Sequence, residues 1–206
     1  MRTTTLKNLR TRNLAITAIF VAILLIQTFA PNIGYIRILP TLPAITTIPL
    51  TIAVYSSLLG YKKGTEFGLL WGITRLIVAY VQPGDLVSLL LFRNVFISLI
   101  PSIVAGLVPG VISKLKSKIS SPIVYLLAGA FTSLANTFFV ILLTTLFYFN
   151  NSKALLQALN SQNSNNSLFV ILILALGFSG LVEMIFTAIA TSVIVLPLKR
   201  VLERNI

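Results

Sequence analysis

Arg75, Asn136, Ser179 and Glu183 carry charge or hydrogen-bonding capacity inside otherwise apolar runs. In hydrocarbon such groups are costly, and they tend to mark ligand sites, ion paths or buried pairs. Trp71, Arg75, Val78 and Gln82 follow one another at helical spacing and share one face. A guanidinium on that face offers an anion a charge-assisted hydrogen bond. It can equally serve a structural ion pair or snorkel to an interface. Glu183 has Ser179 one turn before it and Thr187 one turn after it. It can accept hydrogen bonds from a ligand hydroxyl or amide, or neutralise Arg75. Asn136 offers both a donor and an acceptor, to a ligand or across helices. Arg93 and Asn94 stand at the mouth of a later apolar run, where binding and plain interfacial anchoring are both open.

The rest of the inventory excludes most chemistry. The chain has no His and no Cys, so the commonest general base and the thiolate nucleophiles and metal ligands are missing. Only four acids occur: Glu66, Asp85, Glu183 and Glu203. No Gly-rich loop followed by Lys and Ser or Thr is present to cradle a nucleotide phosphate. No enzyme activity, resident metal or cofactor is expected, and no chain of acids or His leads to Glu183 as a proton relay would.

The elements that position these residues are bilayer elements. Of the 206 residues, 56% are hydrophobic and 10% charged, against about 25% charged in soluble domains. The net charge of +12 sits in short clusters between apolar runs, not along one basic face, so nucleic acid is not the partner. Six spans are expected in a single domain covering residues 1–206: about 13–29, 45–60, 65–82, 94–112, 122–149 and 168–198. Pro31 follows Ala30 directly and no clean small-x-small cleavage site is seen, so the first span reads as a retained helix and not a signal peptide. Residues 86–92 are apolar but short, which suits a re-entrant or interfacial piece. Residues 150–167 are polar, with a short helix expected near 154–159.

Lys and Arg fix the orientation. With the N-terminus inside, twelve of the 16 lie in the N-terminal arm, the second-to-third and fourth-to-fifth connections and the C-terminus. The outer connections carry Arg37, Arg93 and Lys153, a sparse positive field suited to a small anion. Small residues four apart allow close helix approach: Ala18 and Ala22, Gly68 and Gly72, Gly106 and Gly110. Internal packing is the expected role of the glycine pairs.

Several stretches taken in order carry a family resemblance. They are Leu42-Pro-Ala-Ile-Thr-Thr-Ile-Pro49, Ser57-Leu-Leu-Gly60, Tyr61-Lys-Lys-Gly64, Gly68-Leu-Leu-Trp-Gly72-Ile-Thr, Phe92-Arg-Asn94, Leu99-Ile-Pro101-Ser-Ile-Val-Ala-Gly106, Asn136-Thr137 and Gly180-Leu-Val-Glu183. The chain resembles the substrate-binding S components of energy-coupling factor (ECF) vitamin transporters, most closely the pantothenate and folate-like branch. The resemblance implies an all-α integral membrane protein, a six-transmembrane-helix bundle with both ends inside. It implies a pocket open to the outside, gated by residues 31–46 and 81–93. It also implies a transmembrane coupling subunit, contacted through Ala18 and Ala22, and two cytoplasmic ATPases that use the ATP. Asn94, Asn136 and Glu183 fall on recurrent polar positions of that branch. Asn94-Val95 and Pro101-Ser102 depart from its usual Asn-Pro and Pro-Arg. The expected ligand is pantothenate, whose carboxylate suits an arginine and whose hydroxyls and amide suit Asn136 and Glu183. Folate and hydroxymethylpyrimidine are the alternatives within the family. A stand-alone secondary transporter would need an ion-coupling site and usually inverted repeats, and no internal repeat is seen.

Overall fold

The computed structural model describes residues 2–30, 33–36, 45–84, 86–117, 119–149, 153–159 and 167–204. Arg37 and Asp85, and with them parts of both expected gating loops, lie outside the described residues. The described residues form eight α-helices: α1 (Arg2–Phe29), α2 (Ile48–Leu59), α3 (Tyr61–Val81), α4 (Leu86–Phe92), α5 (Val95–Ile112), α6 (Ser121–Tyr148), α7 (Lys153–Ala158) and α8 (Leu168–Arg204). A two-residue antiparallel bridge, β1 (Tyr35–Ile36) with β2 (Ile45–Thr46), pairs Tyr35 with Thr46. Helix α1 starts eleven residues before the apolar run read from sequence, because its basic arm is also helical.

Four helical stretches are long and apolar enough to cross a membrane: 10–29, 95–115, 121–148 and 168–202, with α2 as a shorter apolar helix. The chain is a multi-pass membrane protein. Its exterior is an apolar surface: Leu69, Ile73, Ile77 and Tyr80 on α3, and Leu174, Phe178, Leu181, Ile185, Ile189 and Val193 on α8, are exposed at helical spacing. Polar side chains turn inward. Ser102, Thr132 and Thr28 are buried and return their hydroxyl hydrogens to the carbonyl one turn back, the usual way to satisfy a hydroxyl away from water.

Helix α2 is the hub. Its Ile48, Ile52 and Tyr55 pack with Leu24 of α1, Phe67 and Trp71 of α3 and Ala105 of α5. Its Val54, on a different face, packs with Val124, Tyr125 and Val195 of α6 and α8. A third cluster, Leu91, Ile97, Val140, Ile141, Leu155 and Leu172, joins α4 to α8 above them.

The seam between α3 and α5 depends on glycine. A methyl group on Gly68 would strike the Ser102 carbonyl, and one on Gly106 would strike the Gly64 carbonyl. Backbone thus lies against backbone. Ser56 of α2 closes the corner by donating to the Gly106 carbonyl at 2.7 Å. Gly60, at φ +88°, makes the one-residue reversal between α2 and α3 that an L side chain resists.

Candidate functional site

A cavity of about 350 Å³ opens at the end of the bundle where α1 and α3 finish and α2 begins. Its walls come from α1, α2, α3, α4, α6 and α8, and from the turn leading into α2. Of the residues singled out in the sequence, Trp71, Arg75, Asn136, Ser179 and Glu183 all line it. Val78 and Gln82 do so too, as their shared helical face requires.

Arg75 is held on three sides. Its guanidinium carbon lies 4.2 Å from the Trp71 ring centroid and 4.4 Å from that of Phe92. Each is within cation–π range. Its Nη1 donates to Asn136 Oδ1 at 3.2 Å. Phe92 comes from α4, which is itself fixed. Tyr148 donates its hydroxyl to the Leu90 carbonyl at 2.5 Å, Ser98 donates to the Phe92 carbonyl at 2.6 Å, and Leu155 of α7 is fully buried in the cluster that holds Leu91.

Glu183 is placed differently. Oε1 accepts from Ser133 Oγ at 2.8 Å. Oε2 accepts from the Thr46 backbone N–H at 3.0 Å and from Thr46 Oγ at 3.1 Å. Ser179 is 9% exposed and turns its hydroxyl back to the Leu176 carbonyl at 3.1 Å.

Arg93 and Asn94 are not among the residues that line the cavity. Arg93 turns back to α3, where Nε donates to the Ala79 carbonyl at 3.2 Å and the guanidinium lies 5.1 Å from the Tyr80 ring centroid. Asn94 is the N-cap of α5, its side chain accepting from the Phe96 N–H at 3.0 Å. Ala18 and Ala22 stand together on the exposed face of α1, away from the cavity. Sequence reasoning missed Phe92, Thr46 and Ser133. A lone Phe in an apolar run and a Ser in a long helix give no signal of their own.

Residues 12–195 match the family of ECF transporter substrate-specific components. The chain belongs to this family. The S component is also 37% identical over 98 residues to a curated relative from Leuconostoc mesenteroides subsp. mesenteroides, named pantothenate transporter PanT. That match covers 47% of this S component and 48% of the relative, so it spans about half of each chain. The family is one of transporter subunits, and its placement rests on nearly the whole chain, whereas the match to the pantothenate protein rests on half.

Proposed function

We propose that this S component binds pantothenate from the outside of a bacterial cell and delivers it inward as part of an ECF importer. The observation that carries the reading is Arg75, a half-buried cation held between Trp71 and Phe92 and bonded to Asn136 on the wall of a cavity of ligand size. A guanidinium is a side chain suited to a ligand carboxylate, with which it can form charge-assisted hydrogen bonds. Asn136, Thr137 and Ser179 then offer polar contacts to the amide and hydroxyls of the same ligand. The half-length similarity to a pantothenate transporter supports this ligand over folate or hydroxymethylpyrimidine.

In this reading α1, α2, α3, α5, α6 and α8 are the six spans, with α4 and α7 as outer pieces and both chain ends inside. Helix α3 carries Lys62, Lys63, Glu66 and Arg75, so it crosses as a charged helix shielded by its neighbours. The exposed Ala18–Ala22 face of α1 is the contact for a coupling subunit, where small side chains make a surface that forms and parts without breaking polar bonds. The S component needs no cofactor of its own, and two partner ATPases supply the energy.

Equilibrium binding of pantothenate, folate and hydroxymethylpyrimidine to the purified chain in detergent tests the ligand. Pantothenate alone binds tightly, and Arg75→Ala abolishes that binding while the protein stays folded. A folded chain that ignores pantothenate overturns the assignment.

A further inference from the structure

A second concavity shares no lining residue with the first. It is a groove of about 460 Å³ between α1 and α8, with α2 at its base. Ile16, Ile19 and Ile23 form one wall, and Ile194, Leu198 and Val201 the other. Ile19 is 59% and Val201 57% exposed, so the groove stands open to the bilayer. Thr51, the one polar residue of the lining, has spent its hydroxyl on Gln27 Oε1 at 2.8 Å. The foot of the groove is different. Arg12 stands one turn before Ile16 on the same face of α1. Its Nη1 donates at 3.0 Å to the carbonyl of Leu202, which lines the groove in the last turn of α8. Its Nε is buried and has no hydrogen-bond partner among the described residues. A guanidinium has five N–H donors and cannot shed its charge, so this one keeps donors for an anion.

We infer that the groove binds an anionic phospholipid, with one acyl chain between α1 and α8 and the phosphate on Arg12. The dimensions fit. From Arg12 to Ile23 α1 rises about 16 Å, and one leaflet of a hydrocarbon core of roughly 30 Å is about 15 Å deep. The cation therefore stands at headgroup depth when the apolar walls stand at acyl depth. The charge fits an anionic head better than a zwitterionic one. These ends of α1 and α8 carry Arg10, Arg12, Lys199, Arg200 and Arg204 against one acid, Glu203. The Arg12–Leu202 bond holds the two walls together at the foot. A flexible chain fits between them, and a partner helix about 10–12 Å across does not. Ala18 and Ala22 lie roughly a third of a turn round α1 from the groove wall, so a lipid and a protein partner can hold α1 at once.

Native mass spectrometry of the purified chain, stripped of lipid in detergent, tests this without reference to the vitamin. The probes are phosphatidylglycerol and phosphatidylcholine with matched acyl chains, added in equal amounts. The wild type should retain one phosphatidylglycerol roughly 5-fold in preference to phosphatidylcholine, the bias that one basic residue at a membrane surface supplies. Arg12→Gln should remove the preference, and Arg12→Lys, which keeps the charge, should restore most of it. Val201→Trp fills the groove and should abolish the retained lipid. A cooperative thermal transition shows that each variant is folded. Equal retention of the two lipids by the wild type overturns the inference, as does a preference that survives Arg12→Gln. Lipid held undiminished by Val201→Trp overturns it too, and so does a folded wild type that retains none.

Discussion

The two charged residues of the cavity, half-buried Arg75 and buried Glu183, are used in opposite ways. Arg75 is braced by rings and an amide so that a fixed cation faces the cavity. Glu183 is engaged by Thr46 and Ser133 and reaches across between walls. One charge is held by side chains around it, and the other holds the backbone around it. A charge in a membrane helix therefore announces a function, and only its partners decide whether that function is recognition or assembly.

This contrast can be broken experimentally. The largest effect is expected at the cation. Arg75→Gln should weaken pantothenate by about 100-fold, the loss of a charge-assisted pair worth roughly 2–3 kcal/mol, while leaving affinity for the corresponding alcohol nearly unchanged. Competition binding with the two ligands checks this. Glu183→Ala should show up first in stability. It strands the Thr46 N–H and the Ser133 hydroxyl, and thermal unfolding in detergent should report a loss of about 2 kcal/mol. Phe92→Leu removes one ring from Arg75. It should cost about 10-fold in pantothenate affinity, and Phe92→Tyr should restore most of it, as expected for a partly desolvated cation–π contact of roughly 1–2 kcal/mol. The smallest effect sharpens the boundary of the site. Asn94→Ala removes a helix cap worth about 1 kcal/mol and should lower thermal stability without changing pantothenate affinity.

Much of this architecture was legible because bilayer helices announce themselves by length and hydropathy. The short α4 and the helix in the polar stretch before α8 appear where the sequence puts them. The Trp71–Gln82 face was legible because helical spacing is local arithmetic. What stayed hidden is long-range. No pattern in sequence connects Thr46 to Glu183 or Phe92 to Arg75. Asn94 caps α5, and Asn before an apolar helical run is itself a capping signal. The glycine pairs were read as packing, and α3 and α5 meet through them.

The brevity of α2 has a consequence of its own. Twelve residues rise only about 18 Å, well short of a hydrocarbon layer of roughly 30 Å. The helix is preceded by non-helical backbone at Thr46 and Thr47, whose amides rely on a carboxylate and on the Gly34 carbonyl in place of a helical ladder. The protein thus carries, at the entry to α2, a stretch of chain whose amide protons should trade with deuterium by local opening. The amides of α3 beside it, locked in a full ladder, should keep theirs until the whole bundle comes apart.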